Sequence, residues 1–82
     1  MVLIFGNTNC AWCERAKELC TQYGVEYEYK SIQVPEYFAE LQELVPGVRT
    51  VPQIFWNGNH LGGYPELAEE IENTRNYGDG KI

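Results

Sequence analysis

Val2-Leu3-Ile4-Phe5, closed by Gly6-Asn7 and followed after Thr8-Asn9 by Cys10-Ala11-Trp12-Cys13, is the stretch that decides how this chain folds. Four consecutive apolar residues rich in branched side chains, ended by Gly-Asn, read as a strand buried on both faces. From about Cys13 to Tyr23 the spacing turns helical. Trp12, Ala16, Leu19, Cys20 and Tyr23 share one side, while Glu14, Arg15, Lys17 and Glu18 face away, and Gly24 supplies a helix C-cap. Val25-Glu26-Tyr27-Glu28-Tyr29 then alternates with period two, as a second strand does. A helix between two strands makes a βαβ unit, and such a unit implies parallel pairing.

Downstream, Pro35 stands where a first helical residue belongs, and Tyr37, Phe38, Leu41, Leu44 and Val45 repeat at three and four until Pro46-Gly47. Gln53–Trp56 and Asn59–Leu61 flank Asn57-Gly58, a strong hairpin turn signal, so two antiparallel strands are expected. Gly62-Gly63 breaks the chain. Pro65 opens a last helix with Glu66 in its first turn and Leu67, Ala68 and Ile71 as core stripe to about Arg75. Residues 76–82 carry little to bury and read as a loose tail. The expected class is α/β: a small four-stranded mixed sheet with three helices, in the order βαβαββα.

Eighty-two residues with 44% hydrophobic content suit a single domain, 1–82, with one modest core. Net stability of such a domain is on the order of 5 kcal/mol, so functional groups are expected at an edge. Twelve acidic against six basic residues give a formal charge of −6 without any basic run, which argues against nucleic acid as partner. The opening apolar run is too short for a membrane span or a signal-peptide core, so a cytoplasmic protein is expected.

Three cysteines are too few for a disulfide lattice. Cys10 and Cys13 form a C-x-x-C unit where the first strand hands over to the first helix, so backbone N–H groups should point at the Cys10 sulfur. The helix dipole favours a thiolate there by roughly 0.3–2 kcal/mol, and about 1.4 kcal/mol moves a pKa by one unit. A hydrogen bond from the Cys13 thiol or a nearby cation must supply any larger effect. Residues three apart on a first helical turn bring their sulfurs within bonding reach, which suits Cys10 to attack and the more enclosed Cys13 to resolve. The alternative is half of a zinc site completed by Cys20 and His60, but a second ligand pair is missing from the sequence. Cys20 reads as a small apolar core residue and His60 as an ordinary strand residue.

Cys10-Ala11-Trp12-Cys13, Thr50-Val51-Pro52-Gln53-Ile54-Phe55 and Leu61-Gly62-Gly63-Tyr64 resemble, in order and spacing, the motifs of a dithiol glutaredoxin, and the likeness covers nearly the whole chain. Cys13-Glu14-Arg15-Ala16-Lys17 is similar to the stretch that follows the active site in that family. The resemblance implies a thioredoxin-like fold and glutathione as co-substrate, with no permanently bound cofactor and no metal. It implies Cys10 and Cys13 as catalytic residues of a glutathione-dependent thiol–disulfide oxidoreductase. Implied partners are disulfide-containing or glutathionylated proteins, ribonucleotide reductase among them, met by a monomer.

The same resemblance implies a cis Pro52, which exposes the Val51 backbone to pair with the cysteine unit of glutathione. Thr50 lies beside it, Trp12 covers the ligand backbone, and Tyr64 lines the groove. Gly63, at the start of the last helix, helps to hold the γ-glutamyl carboxylate while Glu66 faces the ligand's ammonium. The sequence departs from the family pattern at five places: Ala11 for proline, Trp12 for the usual tyrosine or phenylalanine, Asn7 where many relatives carry Lys or Arg, Pro65 with its missing N–H, and Glu66 for the usual Asp. With Asn7 uncharged, Arg49 is the favoured cation for the glycine carboxylate, with Arg15 and Lys17 behind it. Two other functions fit the motifs less well. One is a [2Fe–2S] carrier in which two chains share a cluster through Cys10 and glutathione, favoured by Ala11; the other is a thioredoxin-like electron donor, disfavoured by Gly62-Gly63 and the placement of Trp12.

Overall fold

The computed structural model describes residues 1–78. In chain order the elements are β1 (Val2–Gly6), α1 (Ala11–Gln22), β2 (Tyr27–Ser31), α2 (Pro35–Leu44), β3 (Gln53–Trp56), β4 (Asn59–Gly62) and α3 (Tyr64–Gly78). The sheet order is β2-β1-β3-β4, with β1 parallel to β2 and antiparallel to β3, and β3 antiparallel to β4. β1 is therefore internal, which explains its unbroken apolar run. Val2 and Ile4 face one layer with Ile54, against Ala16 and Cys20 of α1 and Leu67 and Ile71 of α3. Phe5 and Phe55 face the other, against Leu41 of α2, their rings edge-on at 5.9 Å. Each fully buried Ile, Leu or Phe in these layers contributes about 1.5–3 kcal/mol.

The expected order of elements is the observed one, and the boundaries shift for identifiable reasons. α1 starts at Ala11 rather than near Cys13, because Cys10 itself caps the helix: its carbonyl accepts from the Glu14 N–H at 3.2 Å and its sulfur from the Cys13 N–H. At the other end Gly24 takes φ +69° and donates to the Thr21 carbonyl, while Val25 donates to that of Cys20 at 2.8 Å. Committing Val25 to this helix exit delays β2 by two residues relative to the expected start. The Asn57-Gly58 turn has both residues at positive φ, 50° and 88°, the geometry a two-residue hairpin requires.

Two expectations need correction. The apolar stripe of α2 is only partly used: Leu41 is buried against Phe5 and Phe55, but Phe38 and Leu44 stand about half exposed. A polar clip assists it, Lys30 of β2 donating to both oxygens of Glu40 at 2.9 and 3.2 Å. The second correction concerns the tail. Nothing in the sequence breaks α3 before Gly78, so residues 76–78 are helical; residues 79–82, also assigned to the tail, lie outside the described residues.

Cys20 is a core residue, fully buried, and burial pushes its thiol up to about 11, so it stays protonated at neutral pH. Cys20→Ala should cost about 1–2 kcal/mol for the space left. Cys20→Ser should cost more, because a hydroxyl would enter a layer made of Ile, Leu and Ala side chains. Urea unfolding of the two variants checks the order; a serine variant more stable than the alanine variant would remove the apolar role.

Candidate active site

α1 begins at one end of β1, and its N-cap is Cys10, in extended backbone at φ −119°. The Cys10 sulfur accepts the Cys13 N–H at 3.2 Å, so an amide that lacks a helical partner points at it, as expected from the spacing. Cys10 and Cys13 are joined as a disulfide with their Cα atoms 5.2 Å apart. Cys13 is fully buried and Cys10 only partly so, which leaves Cys10 the sulfur an incoming disulfide can reach.

Enclosure of Cys13 has a specific origin. Gly6 ends β1 directly beside it, where a Cβ would lie 2.8 Å from the Cys13 sulfur and 2.5 Å from the Tyr29 Oη. Tyr29 is fixed by donating its hydroxyl to the Asn7 carbonyl at 3.1 Å, with the Lys17 ammonium 4.3 Å from the centre of its ring. Burial pushes the Tyr29 phenol above its ordinary value, against the opposing pull of Lys17, so it remains a hydroxyl donor.

Val51–Pro52 is a cis peptide, and the Val51 carbonyl oxygen lies 3.7 Å from the Cys10 sulfur. A cleft of about 310 Å³ opens here. Trp12 closes one side, Thr50, Val51 and Pro52 form another, and Gly63, Tyr64 and Pro65 a third. Trp12, half exposed, meets Tyr64 at 5.3 Å between ring centroids and carries the Arg15 guanidinium 4.9 Å from its own centroid. Six of the residues anticipated for ligand binding, Trp12, Thr50, Val51, Pro52, Gly63 and Tyr64, thus surround one space next to Cys10.

Arg49 and Glu66 are placed differently. Arg49 is exposed and does not line the cleft, although it precedes Thr50. Lys17 is committed to Glu14 at 2.9 Å, a bond that raises its pKa, and lies over the Tyr29 ring rather than in the cleft. Arg15 comes nearest, through its seat on Trp12. Glu66 turns its carboxylate back to the Gly63 N–H at 2.8 Å.

Gln53 was missed in the sequence as a contributor to the site. Buried next to Pro52, it donates its amide nitrogen to the carbonyl and hydroxyl of Thr50, both at 3.0 Å, and its oxygen meets His60 Nε2 at 2.7 Å. With both donors of the amide directed at Thr50, the oxygen accepts from the His60 N–H. Gln53 and His60 thus brace the segment that presents Val51. A Gln at an otherwise apolar strand position was the available signal. Among the described residues no three His, Cys, Asp or Glu side chains gather as a metal site requires.

Comparison with known proteins agrees with this geometry. The sequence model of the glutaredoxin family matches residues 2–61. Glutaredoxin-C1 of Arabidopsis thaliana is 34% identical over 83% of this chain and 57% of its own length. Glutaredoxin 1 of Escherichia coli is 37% identical over 85% of this chain and 91% of its own. The chain therefore spans little more than half of the plant relative and most of the bacterial one. Among solved structures, the buckwheat glutaredoxin–glutathione complex superposes with a TM-score of 0.71 at 30% identity, covering 89% of this chain and 69% of that one. A dithiol capping a helix beside a cis-proline loop, on an open sheet of the thioredoxin-like kind and with these sequence matches, places the chain in the glutaredoxin family.

Proposed function

We propose that the chain is a glutathione-dependent thiol–disulfide oxidoreductase acting on protein disulfides and glutathione mixed disulfides. The observation that carries this reading is the Cys10–Cys13 disulfide at the N-cap of α1, its outer sulfur 3.7 Å from the carbonyl of Val51, a residue that lines the cleft. In the reduced chain the Cys13 N–H and the helix N-terminus stabilise a Cys10 thiolate. That thiolate attacks one sulfur of a substrate disulfide, forming a mixed disulfide at Cys10 and expelling the other half as a thiolate, which takes a proton from water. Cys13 then attacks the Cys10 sulfur, releases the bound half as a thiol and leaves the internal disulfide. One glutathione reopens it by adding to Cys10. A second attacks the glutathione sulfur, yielding oxidised glutathione and restoring the dithiol.

The Val51 N–H and carbonyl suit a substrate main chain added as a short strand, which accepts many side chains. Trp12 and Tyr64 supply apolar cover over it. Such a cycle runs where glutathione is kept reduced, in our reading the cytoplasm.

Cys13→Ser separates the two substrate classes. Release of glutathione from a mixed disulfide needs only Cys10 and should stay within about threefold of the parent, whereas reduction of a protein disulfide should fall about a hundredfold or more for want of a resolving thiol. Steady-state rates with both substrates, glutathione reductase regenerating the reductant, check this; loss of both activities would contradict the roles assigned.

A further inference from the structure

His60 reads in the sequence as an ordinary strand residue, yet it ends a chain of hydrogen bonds that runs from the edge strand β4 to the cleft. The chain has a fixed direction. The Thr50 carbonyl can only accept, so the end of the Gln53 amide that meets it at 3.0 Å is the nitrogen, which also donates to the Thr50 hydroxyl oxygen at 3.0 Å. The Gln53 oxygen is then the atom that faces His60 Nε2 at 2.7 Å, and it too can only accept, so Nε2 carries a proton. The His60 ring is held in turn against Phe55, its partner across the β3–β4 pairing, with 4.9 Å between ring centroids. Phe55 packs in the buried layer with Phe5 and Leu41, which gives the chain a rigid anchor. Gln53 is buried and lines the cleft, but its amide hydrogens are directed at Thr50; His60 is exposed and does not line the cleft.

We propose that Gln53 and His60 are a positioning pair for the substrate: holding Thr50 by its carbonyl and its hydroxyl, they fix the Val51 backbone where it can receive a substrate main chain. The inference rests on the oxidoreductase reading and deepens it, because main-chain recognition then depends on a side chain outside the cleft. Without the His60 N–H the buried Gln53 oxygen has no donor, and the amide must turn to find one, releasing Thr50. Val51 follows Thr50 directly, so it loses its fixed setting. Cys10 keeps the Cys13 N–H and its place at the N-cap of α1, neither of which involves Gln53 or His60. Only disulfides that pair with Val51 should therefore feel the loss.

The test compares oxidation of the reduced chain by oxidised glutathione, which has a main chain, and by bis(2-hydroxyethyl) disulfide, which has none. Second-order rate constants are read by mass spectrometry of quenched samples for the parent, His60→Ala, Gln53→Met and His60→Gln. The ratio of the two constants, glutathione over the hydroxyethyl reagent, should fall about tenfold in His60→Ala and in Gln53→Met, with the hydroxyethyl rate within about twofold of the parent. The double variant should fall no further than the larger single effect, because both residues belong to one chain of bonds. His60→Gln, whose amide can donate at a similar reach, should bring the ratio back to within about threefold of the parent. An unchanged ratio in His60→Ala, a parallel fall with both reagents, or a His60→Gln chain as impaired as His60→Ala overturns the proposal. His60→Ala alone decides it if Gln53→Met does not fold. A parent chain oxidised by neither reagent would instead overturn the oxidoreductase reading itself, and this inference with it.

Discussion

Cys10→Ser should abolish reduction of both mixed and protein disulfides, lowering each rate by about a thousandfold or more, to the level of the reaction without protein. The thiolate is the attacking species, and a serine hydroxyl is not ionised at neutral pH. The same variant should fold normally, because serine is a preferred N-cap and can accept the Cys13 N–H that the Cys10 sulfur now accepts. A thermal midpoint equal to or above that of the reduced parent, together with lost turnover, would locate the defect in chemistry. Retention of a tenth or more of the parent activity would show that another group is the nucleophile.

Gly6→Ala should be strongly destabilising. Its backbone is not in the left-handed region, so the cost is one of space: the added methyl would fall 2.5 Å from the Tyr29 Oη, 2.8 Å from Tyr29 Cε1 and 2.8 Å from the Cys13 sulfur. Neither neighbour yields readily. Tyr29 is tied to the Asn7 carbonyl and Cys13 sits in the first turn of α1. Overpacking of this kind costs about 1–3 kcal/mol, which in a domain of this size lowers the melting temperature by roughly 5–20 °C. Movement of Cys13 should also slow the resolving step, so reduction of protein disulfides should fall further than release of glutathione from mixed disulfides. Gly24→Ala provides a contrast, since open space surrounds Gly24 and only its φ of +69° opposes a side chain, at a cost of about 1 kcal/mol. Scanning calorimetry of the two variants decides the matter; a Gly6→Ala chain as stable as Gly24→Ala would mean that the neighbours relax freely.

The order of elements was legible because local signals and burial agree. β1 is apolar on both faces since it is internal to the sheet and layered by helices on both sides, and Asn57-Gly58 has few conformations other than the turn it makes. Helix ends were less legible because they depend on hydrogen bonds formed only in three dimensions. Cys10 was legible at the N-terminal end of α1, but Val25 belongs to a helix exit rather than to a strand. The half-exposed Phe38 and Leu44 show the limit of periodicity, which reports a potential apolar face and not how much of it finds a partner. In the site, the anticipated residues within the motifs line the cleft, whereas the long side chains of Arg49 and Glu66 are not among its walls. Glu66 illustrates this: Gly63-Tyr64-Pro65-Glu66 carries the spacing of a capping box, and its carboxylate turns back to the Gly63 N–H.

The central claim is that Cys10 alone takes up the substrate sulfur and that Cys13 removes it. Incubating reduced Cys13→Ser chain with a modest excess of oxidised glutathione at neutral pH, then mapping adducts by peptide mass spectrometry, tests it most directly. The account predicts one glutathione per chain, on Cys10, with Cys20 unmodified because its thiol is buried and protonated. An adduct on Cys20 with Cys10 left free, or no adduct at all, would contradict it.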